Sequence, residues 1–225
     1  PVAAPAQERV SFTDRKMGET TMCYIRTTAP EEATGGVLAL YEQQQGGLDY
    51  LPNYARVFCH RPPVMQAWAD LQRAIRQEMD TRTYSLITLA AALAIRSSYC
   101  ALAHGRKLLE RYFTEEEMMA IVRDEDASPL SAGEKAMMRF ARKVAVDSSS
   151  VSATDINALQ DAGLSDSQVF DIAAAAAGRC FFAKLPDALG VRPDAALGDL
   201  PQALRKLLET GRPVESAGLV PRPGL

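Results

Sequence analysis

The sequence is poor in the residues that most often advertise chemistry. It holds two histidines and a single tryptophan in 225 residues, and its four cysteines, Cys23, Cys59, Cys100 and Cys180, form no CxxC pair. Thiols spread this widely do not build a disulfide framework in a chain of this size, so reduced thiols and a cytoplasmic setting are expected. A zinc site is not expected either. Cys100 and His104 supply two ligands, and the adjacent Cys59 and His60 point to different sides of a helix. Long apolar runs are missing: the longest, "LITLAAALAI" at 86–95, is half of the roughly 20 residues that span a bilayer. A basic stripe is missing as well. With 25 basic against 28 acidic residues and a net charge of -3, nucleic acid is a poor fit. The opening stretch lacks the charged and apolar regions of a secretory signal. Residues 1–21 carry no clear period and are expected to form a flexible N-terminal extension.

Period-two runs of Val, Ile and Thr are scarce, and what remains is helical almost throughout. Helices are expected over about 31–45, after Asn53, and from the prolines at 62–63, where Met65, Trp68, Leu71 and Ile75 form one stripe. The stretch 81–94 is apolar nearly all round, the mark of a buried central helix. Thr114 with Glu117, Ser131 with Glu134 and Ser152 with Asp155 open three further helices. Within this series "LAAALAIRSSY" (89–99) aligns with "IAAAAAGRCFF" (172–182) at a constant offset, placing Arg96 opposite Arg179 and Ser97 opposite Cys180. Two related helical halves, about 22–125 and 126–195, are therefore expected, followed by a C-terminal helix and extended tail over 196–225.

The chemistry gathers in "RSSYCALAHGRK", residues 96–107. On a helix, Cys100 lies about 60° from Ser97 and His104 about 20° on the same side, so the three share a stripe. A thiol becomes a good nucleophile as a thiolate, and an imidazole one turn away can take its proton. A helix starting near Ser97 or Ser98 adds a second cause, because its dipole favours negative charge in the first turn. The plain alternative is a core cysteine beside an ordinary histidine.

The segment order over roughly 24–195 resembles the carboxymuconolactone decarboxylase-like superfamily, in particular the two-repeat, peroxidase-related branch of the alkylhydroperoxidase D-like proteins. The resemblance rests on "PEEATGGVLALYEQQQGGLDYLPNYARVFCHRPPV", "YSLITLAAALAIRSSYCALAHGRKL" and the stretch from "LSAGEKAMMRF" to "CFFAKLPDALGV". It implies an all-α fold of two related halves. It also implies a site in which a glutamate and a histidine activate the second cysteine of a CxxC against a peroxide. Carried over by position, Cys100 is that cysteine and His104 that histidine. Ser97 stands where the first cysteine would be, and Ser85 where the relay glutamate would be. Tyr99 keeps an aromatic before the reactive cysteine. The implied activity is peroxide reduction through Cys100 assisted by His104, in one-cysteine form, with an external thiol as reductant and no cofactor or metal. Ser85, Ser97 and Tyr99 are relay or pocket candidates. The resemblance also implies a homo-oligomer, from dimer to hexamer. Two other readings stand beside it. One is a decarboxylase-type lyase acting on a small carboxylated or lactone substrate, with a basic group such as Arg96 in its cavity. The other is a non-catalytic helical oligomer or binding protein that keeps the fold.

Overall fold

The computed structural model describes residues 23–216, so the expected N-terminal extension and the end of the tail lie outside the described residues. Among the described residues there are ten α-helices and no strand. They are α1 (Gly35–Gln45), α2 (Asn53–Val57), α3 (Pro62–Ile75), α4 (Thr81–Ala94), α5 (Ser98–Arg111), α6 (Glu115–Arg123), α7 (Ala132–Asp147), α8 (Ala153–Asp161), α9 (Asp166–Ala188) and α10 (Gln202–Leu208). No helix among the described residues is long and apolar enough to cross a membrane.

The apolar stretch at 81–94 becomes α4, the central helix, opened by Asp80, whose carboxylate accepts from the Thr83 N–H. It packs against α5, α7 and α9, and Leu86, Ile87 and Leu89 are fully buried. Burial at this level contributes about 1.5–3 kcal/mol per large aliphatic side chain. The capping pairs behave as their spacing predicts. Thr114–Glu117 and Ser131–Glu134 close reciprocal boxes, and Asp155 accepts from the Ser152 N–H. Ser165 with Gln168 adds another at the start of α9.

Two expectations need correction. The helix predicted over 31–45 is split into a 3-10 turn at Pro30–Glu32 and α1. Ala33 and Thr34 between them are extended, because a β-branched residue followed by two glycines is a poor helix interior. Leu71 leaves the buried stripe of α3 and is 51% exposed, whereas Met65 and Trp68 are buried. Its position lies about 120° around the helix from Met65, at the edge of the buried face.

The chain breaks between α4 and α5 at Arg96, which has a φ of 59°. The stretch aligned with it in sequence takes another shape. Residues 172–182 lie within the unbroken α9, so Arg179 stays helical where Arg96 turns a corner. Beyond α9 the chain returns across the first half. Leu204 and Leu208 of α10 are fully buried, and α10 packs on α5 and α6.

Candidate active site

Ser97 stands at the N-cap of α5, and Cys100 is the third residue of the helix. The first-turn placement expected for Cys100 is therefore met, and the helix dipole favours negative charge there. Cys100 is buried, with 3% exposure. Its polar contact comes from the far half of the chain: Arg179 Nη1 of α9 lies 3.5 Å from Cys100 Sγ. Arg179 falls on the buried face of α9 with Ile172, Ala175, Ala176, Phe182 and Ala183, in the spacing of one helical stripe. Its Nη2 donates to Tyr84 Oη at 3.1 Å. Burial works against the charge of Arg179, but the Cys100 sulfur and the Tyr84 oxygen outweigh it and hold the guanidinium above its ordinary range.

These groups line a cavity of about 310 Å3 bounded by residues from α1, α2, α3, α4, α5 and α9. Its walls are aromatic. Trp68 stacks on Phe182 with centroids 5.3 Å apart, and Tyr54 meets the same ring edge-on at 5.2 Å. Tyr84 Oη also accepts from Gln72 Nε2 at 3.0 Å. With both acceptor positions used, the phenol proton is free to be donated.

His104 lies one turn after Cys100, with 9% exposure, edge-on to the Tyr84 ring at 5.8 Å. Burial first, and then Arg179, Lys107 and Arg76, hold its imidazole well below the ordinary value. It is therefore neutral at pH 7 and can pass a proton on but does not hold one. Its Nδ1 is buried without a hydrogen-bond partner.

The remaining candidates are placed differently. Tyr99 contributes its ring to the cavity wall, but its hydroxyl turns away and donates to Asp194 Oδ2. Asp194 Oδ1 accepts from the Asn53 N–H at 2.7 Å, so the Tyr99 hydroxyl is committed to tying α5 to α2. Ser85 is fully buried on α4 with no hydrogen-bond partner, and it is not part of the cavity wall; the neighbouring Tyr84 is. Ser97 is 1% exposed and also outside the wall. Its hydroxyl faces the Asp187 carboxyl without a hydrogen bond of ordinary geometry. The basic group proposed for the cavity, Arg96, is not there: its Nε donates to the Thr210 carbonyl on the other side of the α4–α5 break. The cavity's cations are Arg76, Lys107 and Arg179. The signal for Arg179 was in the sequence, as a charged residue on the apolar stripe of an Ala-rich helix.

No cluster of three or more potential metal-ligating side chains occurs among the described residues. The arrangement holds a sulfur between a helix N-terminus and a guanidinium, with a neutral imidazole and a phenol proton nearby. Each of these serves nucleophilic attack by a thiolate.

Residues 62–143, from α3 into α7, match the model of the carboxymuconolactone decarboxylase family. A peroxidase-related protein from Ralstonia eutropha JMP134, described as an alkylhydroperoxidase AhpD core, has a similar structure (TM-score 0.70, 21% identity, covering 80% of this chain and 96% of that one). An uncharacterized peroxidase-related protein from Silicibacter sp. TM1040 is also similar (0.66, 18%, 84% and 98%). So is a cysteine-to-alanine variant of the debrominase Bmp8 in complex with 2,3,4-tribromopyrrole (0.63, 16%, 81% and 95%). No curated protein matches the chain significantly by sequence. The family match spans the helix that carries Cys100 and His104, and the all-helical fold is the one these AhpD-like structures have.

Proposed function

We propose that Cys100 is the nucleophile of a thiol-dependent peroxidase working in one-cysteine form. The observation that carries this reading is the guanidinium of Arg179 placed 3.5 Å from Cys100 Sγ in a cavity that also holds a neutral His104. The Cys100 sulfur attacks the terminal oxygen of a hydroperoxide while its proton is relayed through the neutral His104 imidazole, so that no imidazolium persists beside Arg179. An S–O bond forms as the O–O bond breaks. The alcohol oxygen leaves with a proton returned from His104 or given by Tyr84, and Cys100 becomes a sulfenic acid. Arg179 balances the negative charge as it moves from sulfur to oxygen. Ser97 supplies no thiol to resolve the sulfenic acid. Two equivalents of an external thiol complete the cycle, giving a disulfide and water and restoring the thiol.

The test is a trapping experiment. Reduced protein is treated with tert-butyl hydroperoxide in the presence of dimedone, and the adduct is located by mass spectrometry. The expected adduct is on Cys100, formed about 10- to 100-fold more slowly in Arg179→Met. A Cys100 that stays unmodified while Cys23, Cys59 or Cys180 reacts overturns the proposal.

The aromatic walls favour a second reading with the same nucleophile. A debrominase shares the fold, and a planar halogenated ring suits a cavity walled by the packed rings of Trp68, Phe182 and Tyr54. Here the thiolate takes the halogen as a sulfenyl halide, the ring carbon takes a proton, and an external thiol displaces halide as a mixed disulfide. Release of bromide from a bromopyrrole by reduced wild type but not by Cys100→Ser supports it, and bromide release that does not depend on Cys100 excludes it.

A further inference from the structure

We infer that the Cys100 cavity takes a planar organic anion, and that Arg76 and Lys107, the half-buried cations of its wall, recognise the anionic group. This rests on the reading of the cavity as the active site, and it adds what kind of molecule enters. Three cations, Arg76, Lys107 and Arg179, line the cavity, and no aspartate or glutamate does. The protein as a whole is acidic, at net -3, so a purely basic cavity does not simply mirror composition. Among the described residues, no carboxylate lies within ion-pair distance of any of the three.

Arg179 is already engaged by Cys100 and Tyr84. Arg76 and Lys107 are not engaged in this way. The Arg76 guanidinium is fixed over the Tyr84 ring, 4.7 Å from its centroid, and its Nε is buried without a partner. Lys107 lies one turn beyond His104 on α5 and is half-buried. Burial, and then repulsion from Arg76, Arg111 and Arg179, push its ammonium below the ordinary range; Glu110 works the other way without forming an ion pair. His104 Nδ1, buried and unpartnered, adds one more unmet polar atom. Cations crowded together with unfilled hydrogen-bonding capacity are costly unless a counter-charge arrives, and a carboxylate accepts from two such donors at once.

The rest of the cavity sets the shape of the ligand. Its volume of about 310 Å3 far exceeds what hydrogen peroxide needs and suits a molecule with one ring. Trp68, Phe182 and Tyr54 offer flat walls for that ring. With the acid group held by Arg76 and Lys107, the ring lies in the same cavity as Cys100 and brings its reactive substituent to the sulfur.

The single tryptophan of the chain lies in this wall, so its fluorescence reports occupancy directly. Reduced protein is titrated with benzoate and with benzamide, its neutral counterpart. Benzoate is expected to change the Trp68 emission saturably and to bind at least roughly tenfold more tightly than benzamide. Lys107→Met and Arg76→Met are each expected to weaken benzoate by about tenfold or more and to leave benzamide unchanged, with circular dichroism confirming the fold. Equal affinity for the two ligands, full benzoate affinity in both variants, or no saturable benzoate binding overturns the inference. A protein that selects benzoate yet fails to form the Cys100 sulfenic acid refutes the peroxidase reading alone.

Discussion

His104 illustrates how burial sets chemistry at a single residue. Its environment disfavours the charged form, through burial first and three nearby cations second. In the unfolded chain the same imidazole titrates near its usual value of about 6.5. Above that pH both states hold it neutral, and it makes no difference to stability. As the pH falls below about 6.5, the unfolded chain takes up a proton that the native state refuses, so stability drops until the depressed native value is reached. The loss is at most about 1.4 kcal/mol per pH unit in that window. Asp187 and Asp194, both raised by burial, act in the opposite sense at lower pH, favouring the fold as they protonate. Comparing His104→Gln with wild type removes their contribution. Urea midpoints at pH 7.5, 6.5 and 5.5 are expected to fall more steeply in wild type than in the variant. Parallel pH profiles for the two proteins mean that His104 is not held neutral.

At the scale of elements, the site depends on α5 being fixed from behind, and Gly105 and Leu208 show how. A Cβ added at Gly105 would lie 2.5 Å from Leu208 Cδ1, so the missing side chain is what lets α10 approach α5. Leu208 is fully buried, and Leu208→Ala is expected to cost about 2–5 kcal/mol. Gly105→Ala gains about 1 kcal/mol of helix propensity and loses about 1–3 kcal/mol to overpacking, so its net effect in wild type is a modest loss or none. In the Leu208→Ala background the clash is gone and Gly105→Ala becomes stabilising. Chemical denaturation of the four proteins is expected to show this coupling, and additive effects refute the contact. The helices themselves were legible from local signals: three capping pairs, the prolines opening α3 and the all-round apolar stretch that became α4. Cys100 and His104 were legible from their spacing and from family resemblance. Arg179 stood out locally as a charge on an apolar stripe, but its partner did not, because α9 packing on α4 brings it to Cys100 only through a long-range contact. Arg96 misled for a related reason. It aligns with Arg179 in sequence, but the break at its own φ of 59° swings it to the far side.

For the whole molecule, the C-terminal stretch acts as a strap that binds distant parts of the chain around the back of the site. The Arg212 guanidinium donates to the Asp187 carbonyl of α9 and to Tyr24 Oη near the start of the described chain. Asn53 Nδ2 of α2 donates to Glu215 Oε2 at 3.0 Å. At the α4–α5 break, Arg96 Nε donates to the Thr210 carbonyl and the Gly211 N–H donates to Ser98 Oγ at 2.7 Å. That last bond fixes the first residue of α5, two positions before Cys100. The crossing is so close that a Cβ at position 211 would lie 2.0 Å from the Arg96 carbonyl oxygen, a backbone atom with no rotamer to relieve the clash. Gly211→Ala is therefore expected to cost about 1–3 kcal/mol, because the strap must lift off or the break must shift. Gly47→Ala, where an added Cβ meets nothing within 4 Å, is the matched control and should stay within about 0.5 kcal/mol of wild type. The same displacement moves the N-terminus of α5, so Gly211→Ala should also change the rate at which iodoacetamide alkylates Cys100, while Gly47→Ala should not. If Gly211→Ala unfolds at the same denaturant concentration as Gly47→Ala, and Cys100 reacts at the same rate in both, the strap does not hold α5 and the geometry of the thiol must be set by α4 and α9 alone.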